Sequence, residues 1–327
     1  MTAPPRTAGR QLLQDVSDAV HLRVVGQDET VEGLMIALLT GGHLLLEGLP
    51  GLAKTLLVRS LAGALNTTFR RIQFTPDLLP GDVVGTPVYH QGSGEFRVYK
   101  GPIFAHVVLA DEVNRAPPKV QSALLEAMEE EQVTIDGITY PLPSPFLVLA
   151  TQNPIEQQGT YPLAEAQLDR FMMKLKIGYP RREEEKEILR RVALHDRNGA
   201  APLPEGSVGE TDILAARDEL AKVHVDQRIQ DYVVELAFAT REPETVGLGD
   251  FSKLVEFGIS PRASIFLTRA ARARAYLHGR DFVLPDDVKA MALPVLRHRF
   301  RTTYEADSRG IDADTLIGRV LGAVPPP

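Results

Sequence analysis

Apolar residues near the start of the chain recur every three or four positions, which is the spacing of one face of an α-helix. One such set lies in residues 12–20 and a second in residues 31–39, with Gly26 between them. Because glycine interrupts helices, this pattern predicts two amphipathic helices that are separated near Gly26.

The pattern changes at residues 43–47, where a short continuous apolar run predicts a β-strand. The run leads into the glycine-containing segment GLPGLAKT, after which the leucines of residues 56–65 return to helical spacing. A strand, a glycine loop and a helix in this order are the first unit of an α/β domain.

Later apolar runs extend this alternation. Four runs follow, separated mostly by helical segments: residues 69–74, 107–110, 146–150 and 172–177. Strands that alternate with helices predict a parallel sheet with crossover connections, here of five strands. Two insertions interrupt the alternation. Residues 75–101 are rich in Gly and Pro, and residues 131–145 hold an Asp-Gly turn between β-formers, which is the pattern of a hairpin.

Helical spacing dominates from residue 181 onward, beginning with REEEKEILRRV. Further helices are predicted in this half of the chain at residues 211–220, 229–240, 261–278 and 285–293. The pattern therefore predicts an α/β domain over residues 1–180 and an all-helical domain over residues 181–327. A length of 327 residues suits two domains of about 150 residues each.

The composition excludes several classes of protein. Apolar residues make up 44% and charged residues 24%, as in ordinary folded globular chains. The formal net charge is −7, which gives no general attraction to nucleic-acid phosphates or anionic lipid. The chain has no cysteine, which excludes disulfides, thiolate nucleophiles and cysteine-bound metal clusters.

Targeting signals are also missing from the sequence. The first residues, MTAPPRTAGRQLLQ, lack the apolar core of a signal peptide, and no run of about 18 apolar residues occurs. We therefore expect no membrane span and a cytoplasmic location.

The segment GLPGLAKT differs by one residue from the phosphate-loop pattern G-x-x-x-x-G-K-[ST], because Ala53 stands where the pattern has its second glycine. Such a loop binds phosphates through backbone N–H groups and the start of the next helix. Lys54 would contact the β and γ oxygens, and the Thr55 hydroxyl would contact Mg²⁺. This chemistry is preserved if Ala53 adopts a helical φ. The alternative is an ordinary strand-to-helix turn with an exposed lysine.

Polar side chains end two other predicted strands. The run VVLADE ends in Asp111 and Glu112, and FLVLATQNP carries Asn153 at its tip. The carboxyl ends of parallel strands open onto the ligand crevice of such a sheet. We expect Asp111 to hold Mg²⁺ through water, Glu112 to polarise the attacking water, and Asn153 to bond the γ-phosphate or that water. The alternatives are a pair of solvated acids and an asparagine that only shapes a turn.

Five segments together resemble the MoxR-type AAA+ ATPases, of the helix-2-insert group. They are GLPGLAKT, VVLADEVNRAPPKVQSALLEAMEE, VLATQNPIEQQGTYPLAEAQLDRF, GISPRAS and GRDFVLPDDVKAMALPVLRHRF. The resemblance runs from residue 25 to about residue 299. It implies a five-stranded AAA+ nucleotide-binding domain, with a helix-2 insert and a pre-sensor hairpin at the two interruptions, and a helical lid. The family's loop tolerates Ala before its lysine.

The resemblance assigns the nucleotide site residue by residue. Asp111 and Glu112 would form Walker B, Asn153 would be sensor 1, and Thr55 and Asp111 would bind Mg²⁺. The VVGQ segment, where such ATPases bind adenine through backbone groups, and the Walker A loop would together bind ATP: Gln27, Gly48, Leu49, Pro50, Gly51, Leu52, Ala53, Lys54, Thr55 and Leu56. No role follows for Arg297, His298 and Arg299.

Two arginines have further roles by resemblance. Arg170 of LDRF would be the arginine finger, offered to the nucleotide of a neighbouring subunit, and Arg262 of SPRA would be sensor 2 in the lid. Arg262 follows Ser260 and Pro261, a helix start whose dipole disfavours a cation, so a nearby anion would resolve the mismatch. The alternatives are a solvent-exposed Arg262 and a surface ion pair between Arg170 and the adjacent Asp169.

The resemblance implies an ATPase that acts at subunit interfaces of a ring, which we expect to be hexameric, and that remodels or matures protein complexes. Its partner would be a protein client, in some cases a von Willebrand factor A domain protein. The alternatives are a ring motor on nucleic acid and a nucleotide-gated scaffold with little turnover.

The charge of the two insertions argues against nucleic acid. Residues 75–101 contain three acidic and two basic residues, and residues 131–145 contain two acidic residues and no Lys or Arg. A pore that follows a phosphate backbone needs cations. Glu112 argues against the scaffold, because a protein that only binds nucleotide does not need it.

Overall fold

The computed structural model describes residues 8–92, 94–154, 159–198 and 208–327. Residues 155–158 of the quoted segment VLATQNPIEQQGTYPLAEAQLDRF lie outside the described residues. The strands are β1 (Leu44–Gly48), β2 (Phe69–Gln73), β3 (Gly85–His90), β4 (Glu95–Lys100), β5 (Val107–Asp111), β6 (Gln132–Ile135), β7 (Ile138–Pro141), β8 (Leu147–Gln152), β9 (Met173–Ile177), β10 (Val255–Phe257) and β11 (Arg301–Thr302).

The helices begin before the first strand and dominate the second half of the chain. They are α1 (Ala8–His21), α2 (Asp28–Thr40), α3 (Lys54–Ala64), α4 (Pro80–Val84), α5 (Pro118–Glu130), α6 (Glu165–Leu168), α7 (Arg182–Asn198), α8 (Glu210–Ala221), α9 (Gln227–Arg241), α10 (Pro261–Leu277), α11 (Pro285–Leu296), α12 (Tyr304–Ser308) and α13 (Ala313–Ala323). Gly26 lies between α1 and α2 with a φ of 66°, as the predicted break there requires.

The five predicted strands form one parallel sheet in the spatial order β2-β5-β8-β1-β9. The three inner strands are buried along almost their whole length. Helices cover both faces of such a sheet, so inner strands are apolar on both sides and give the continuous runs seen in the sequence. The predicted α/β class is confirmed.

Both predicted insertions carry an antiparallel hairpin. In the second, β6 pairs with β7 around Asp136 and Gly137, whose φ values of 52° and 77° suit the predicted Asp-Gly turn. In the first, the short helix α4 precedes the hairpin of β3 and β4. Both faces of β3 and β4 are exposed, so apolar and polar residues do not alternate regularly along them. The sequence therefore indicates only a Gly- and Pro-rich stretch there.

The second half of the chain is helical with one correction. An antiparallel ribbon of β10 and β11 lies within the half that we expected to be all-helical. Its strands are three and two residues long, too short to show an alternating pattern. The core continues from α1 and α2 into the helices of this half, so a boundary at residue 180 stays a prediction. In the described part of the chain, every helix is too short or too polar to cross a bilayer.

A histidine is buried where three elements of the α/β domain meet. His43 precedes β1, and its Nδ1 accepts a hydrogen bond from the Val148 N–H at 3.0 Å. The neutral ring therefore carries its proton on Nε2, which donates to the Met128 carbonyl at 2.9 Å. Burial lowers the pKa of His43 from 6.5 to about 4, although the bond to Met128 opposes this.

We expect His43 to make the fold sensitive to acid between pH 6.5 and pH 4. Its pKa is lower in the folded protein than in the unfolded chain, so the unfolded chain takes up the proton first and the folded state loses stability as the pH falls. The loss between pH 7.5 and pH 5 is about 2 kcal/mol from this residue. Urea unfolding at both pH values measures it.

The substitution His43→Gln keeps one donor and one acceptor but cannot titrate, so it should reduce that loss. His90→Gln, at an exposed histidine, is the matched control and should leave it unchanged. Some acid sensitivity remains in both variants, because burial also lowers the pKa of His298. An equal loss in His43→Gln and in the unsubstituted protein would contradict the assignment.

Candidate active site

The loop between β1 and α3 is shaped by close backbone packing and by a helix start. Gly48 approaches β9 so closely that a Cβ there would lie 2.8 Å from the Ile177 carbonyl oxygen. Gly51 has a φ of 84°, a conformation that glycine adopts without strain. Helix α3 begins at Lys54, whose ammonium donates to the carbonyls of Gly48 and, at 3.1 Å, of Leu49. The loop and the start of α3 thus form a phosphate-binding arrangement.

The backbone at Ala53 differs from the helical conformation that the sequence analysis required for an intact phosphate loop. Its φ of 57° and ψ of 20° are left-handed, so it does not adopt the right-handed helical φ that would preserve the loop in the simplest way. The chain must reverse direction just before α3, and glycine at this position of the pattern meets that need. An alanine meets it at a cost of about 1–2 kcal/mol. Left- and right-handed residues in succession still orient their N–H groups toward one point.

Asp111 ends β5 as a buried carboxylate with partners on both oxygens. Its Oδ1 accepts from the Thr151 hydroxyl at 2.6 Å. Its Oδ2 accepts from Arg71 Nη2 at 2.6 Å and lies 3.4 Å from the Thr55 hydroxyl oxygen. Thr55 and Asp111 therefore present adjacent oxygen donors, which is the donor set that Mg²⁺ takes when water and phosphate complete its shell. Among the described residues, no group of three carboxylate, histidine or cysteine side chains forms a closed metal cage.

Glu112 directly follows Asp111 at the carboxyl end of β5. Its backbone lies in the left-handed region, with φ 59° and ψ 49°, and its N–H donates to the Thr151 hydroxyl at 2.8 Å. Its carboxylate accepts from Gln73 Nε2 at 2.8 Å and pairs with Arg115 Nε at 3.1 Å. The left-handed turn lets two adjacent acids, Asp111 and Glu112, enter one cleft from one strand end.

The structure brings most of the predicted site together around one cleft of about 380 Å³. Its lining comes from the loop, from α3 and from the carboxyl ends of three strands: Pro50, Gly51, Leu52, Ala53, Lys54, Thr55, Leu56, Arg71, Gln73, Asp111, Glu112, Thr151, Gln152 and Asn153. Asn153 is buried just beyond β8. The predicted Walker A, Walker B and sensor 1 residues are therefore neighbours.

Three predicted nucleotide-binding residues lie beside this cleft. Gly48 and Leu49 form the base of the loop, where their carbonyls contact Lys54. Gln27 precedes α2, and its Nε2 donates to the Gly178 carbonyl at 3.3 Å. Gly178 follows Ile177, which packs on Gly48, so Gln27 lies next to the base of the loop.

Sequence analysis missed four residues of the cleft: Arg71, Gln73, Thr151 and Gln152. Arg71 and Gln73 are alternate residues of β2, which is an edge strand and half polar despite the predicted apolar run. Side chains two apart on a strand share a face, and β2 is registered against β5 so that Gln73 lies opposite Asp111. Polar residues at this spacing within FRRIQ are the signal that could have located them.

Arg170 and Arg262 lie together at a second cleft, of about 200 Å³. Arg262 Nη2 lies 2.6 Å from Glu129 Oε1, and Arg170 Nη2 lies 3.0 Å from Glu129 Oε2. A single carboxylate therefore binds both guanidinium groups, and it supplies the anion expected near the start of α10. The alternative pairing of Arg170 with Asp169 is wrong, because Asp169 binds Arg299 at 2.7 Å.

The two clefts lie at opposite ends of the sheet. Among the described residues, they share no lining residue. Gly41, Gly42 and Arg170 of the second cleft precede the parallel strands β1 and β9, whereas the loop of the first cleft follows β1. A strand of five residues spans about 16 Å, so both arginines are separated from the phosphate loop of the same chain by the length of the strands.

A glycine loop at a helix start, an acidic pair and a buried asparagine at the carboxyl ends of a parallel sheet, followed by a helical lid, are the arrangement of an AAA+ ATPase. The family described as "ATPase family associated with various cellular activities (AAA)" matches residues 43–173, and the AAA lid domain matches residues 251–319. The chain belongs more narrowly to the MoxR family within this class, as its relatives establish.

Two curated relatives and one solved structure document this. The protein named Chaperone MoxR1 from Mycobacterium tuberculosis is 50% identical over 92% of this chain and 78% of its own. Protein MoxR from Paracoccus denitrificans is 33% identical over 96% of both chains. A crystal structure of a Cytophaga hutchinsonii protein, provisionally described as an ATPase, superposes with a TM-score of 0.90 at 49% identity, covering 97% of this chain and 95% of that one.

Proposed function

We propose that this protein forms a ring, expected to be hexameric, that hydrolyses ATP with Mg²⁺ at its subunit interfaces and remodels or matures protein complexes as a cytoplasmic chaperone. The observation that carries this proposal is the separation of two complementary half-sites on one subunit. The first cleft holds a phosphate loop and acids, and the second holds two arginines at the other end of the sheet. The name of the Mycobacterium tuberculosis relative supports the chaperone role.

The first cleft would bind the triphosphate of ATP from one side. The loop N–H groups and the start of α3 would bind the phosphates, and Lys54 would exchange its contacts with loop carbonyls for the β and γ oxygens. Thr55 and Asp111 would hold Mg²⁺, which supplies charge neutralisation at the phosphate oxygens when bound. Arg71 pairs with the buried Asp111 at 2.6 Å and so compensates its negative charge within the cleft.

Glu112 would orient the attacking water and accept its proton. Its carboxylate is only partly buried, lines the cleft and is tethered to Gln73 and Arg115, which define its direction. Asn153 would fix the same water or the γ-phosphate through a neutral amide that does not compete for protons. These assignments give the subunit a complete set of groups for attack. Among the described residues, the cations that line this cleft are Lys54 and Arg71, and Arg71 is paired with Asp111.

Arg170 and Arg262 would supply positive charge to the nucleotide of a neighbouring subunit. Both are about one-third exposed and held by Glu129, so a phosphate entering the second cleft would meet two oriented guanidinium groups. Arginine binds phosphate through a planar fork of donors, and it stabilises the charge of phosphoryl transfer. Hydrolysis would thus require two subunits.

A protein is the substrate class that fits the insertions. The hairpin of β3 and β4 exposes large apolar side chains, including Tyr89 and Phe96, whose rings lie 5.3 Å apart. Lys100 lies over the Tyr140 ring of the second hairpin at 5.4 Å, which links the two insertions. Apolar and aromatic side chains of this kind contact proteins rather than phosphates. A von Willebrand factor A domain protein is one such partner.

Glu112→Gln should bind ATP but not hydrolyse it, because the amide keeps the size of the side chain and loses the proton acceptor. Lys54→Ala should instead weaken ATP binding itself. Equilibrium ATP binding and phosphate release, measured on both variants, separate the two steps. Hydrolysis by Glu112→Gln at the unsubstituted rate would remove Glu112 from the catalytic role.

Arg170→Ala should bind ATP normally and lose most turnover, by analogy with the factor of about 10³–10⁵ that arginine fingers give GTPases. Turnover of the unsubstituted protein should rise with protein concentration. A mixture of Arg170→Ala and Lys54→Ala subunits creates interfaces in which an intact loop faces an intact Arg170, so part of the activity should return. Mixed rings without any recovery would argue against action between subunits.

Duplex or single-stranded DNA should not raise the ATPase rate at about 150 mM salt, whereas a protein partner should. Non-specific nucleic-acid binding is driven by counterion release and requires Lys or Arg at the contact surface, and the two insertions are acidic overall. ATPase assays with DNA, RNA and candidate partner proteins test this. Stimulation by DNA that disappears at high salt would favour the nucleic-acid motor instead.

A further inference from the structure

Arg299 is a buried cation to which the proposed reaction gives no role. In the described part of the chain, it has hydrogen-bond partners for all of its side-chain donors. It follows α11, its side chain is 2% exposed, and its Nε donates to Asp169 Oδ1 at 2.7 Å. Burial lowers the pKa of Arg299 to about 10, with Asp169 opposing the shift, so it stays charged at neutral pH.

The remaining donors of Arg299 bind the backbone on both sides of Arg170. Nη2 donates to the carbonyls of Asp169 at 3.0 Å and Phe171 at 2.7 Å. Nη1 donates to the Met172 carbonyl at 3.2 Å and to the Val295 carbonyl of α11. A guanidinium has five N–H donors, and all five are used here. Three of the five acceptors are carbonyls of the loop that carries Arg170.

Asp169 also connects this loop to the helix that carries Arg262. Ser260 is the residue before α10, and its hydroxyl donates to Asp169 Oδ2 at 3.2 Å. A serine at this position ordinarily caps the helix, but here, among the contacts of the described residues, its hydroxyl makes no cap bond. Ser260 lies two residues before Arg262, so one carboxylate joins the neighbours of both arginines.

We propose that Asp169, Arg299 and Ser260 form a brace that positions Arg170 and Arg262 as one unit toward the nucleotide of a neighbouring subunit. This inference rests on the proposed function. The three residues are positioning residues, because they contact the backbone and helix start that carry the arginines rather than the nucleotide.

The energetics favour a positioning role over simple packing. A buried ion pair is often no more stabilising than apolar side chains of the same volume, so its presence in a core contact calls for a reason other than stability. Arg299 also lies over the Phe266 ring of α10 at 5.1 Å, which adds a second connection to the lid helix. Apolar packing would join α11 to the loop, but it would remove the hydrogen bonds that Arg299 donates to three loop carbonyls.

The experiment determines whether a brace variant loses the function of the arginine cleft or that of the phosphate-loop cleft. We would compare Asp169→Asn, Arg299→Lys and Ser260→Ala. Each should lower kcat, by about tenfold to a hundredfold for the first two and less for Ser260→Ala, because small misplacement of a catalytic group has effects of this size. The KM for ATP should change less than about twofold, since the phosphate loop lies at the other end of the sheet.

Subunit mixing supplies the readout that a general folding defect would not give. A brace variant keeps an intact phosphate loop, so mixing it with Lys54→Ala, which supplies intact arginines, should restore activity. Mixing it with Arg170→Ala should restore nothing, because neither subunit presents a positioned arginine. Failure to recover with Lys54→Ala, or recovery with Arg170→Ala, overturns the brace.

Matched controls lie close by in the chain. Arg297→Lys changes a second arginine of the same segment, whose Nε lies 3.1 Å from Asp314, and Asp314→Asn removes the carboxylate of that pair. Both should leave kcat unchanged. Ser260→Ala leaves the buried ion pair intact, so it keeps the test usable if Asp169→Asn does not fold. If the mixture of Arg170→Ala and Lys54→Ala subunits has no activity, the proposed hydrolysis between subunits is refuted. If that mixture is active but the brace variants behave like the controls, only the brace is refuted.

Discussion

All five strands of the central sheet point the same way, and the two clefts follow from that constraint. In a parallel sheet, every strand presents its carboxyl end at one edge and its amino end at the opposite edge. The phosphate loop, Asp111 and Asn153 follow strands, so they gather at one edge. Arg170 precedes a strand and lies at the other. One chain therefore carries two faces of different chemistry, as the proposed head-to-tail association requires.

Each face contains a buried or half-buried carboxylate that pairs with an arginine from a separate element. Asp111 is bound by Arg71 of the neighbouring edge strand, and Asp169 is bound by Arg299 from the end of α11. Asp111 is the first residue of the predicted Walker B pair, and Asp169 directly precedes Arg170. Loss of either arginine would leave a carboxylate without its cationic partner, so the two ion pairs hold both acids in fixed orientations.

The sequence predicts the strands and helices better than the ion pairs that connect them. The inner strands are read correctly because burial on both faces makes them continuous apolar runs, and the Asp136-Gly137 hairpin because its turn needs a positive φ. The ribbon of β10 and β11 is missed because strands of two or three residues have no period. Arg71 and Arg299 are missed because their partners, Asp111 and Asp169, are distant in sequence and meet them only through sheet register and lid packing.

The left-handed backbone at Ala53 limits what the phosphate loop can be made of. At a φ of 57°, every side chain beyond a hydrogen atom crowds the following carbonyl, and branching at Cβ makes the crowding worse. Alanine is the smallest residue that pays this penalty at all. Glycine at this position would relieve the strain and a β-branched residue would add to it, so the loop depends on a small unbranched residue here even though Ala53 contributes no functional group of its own.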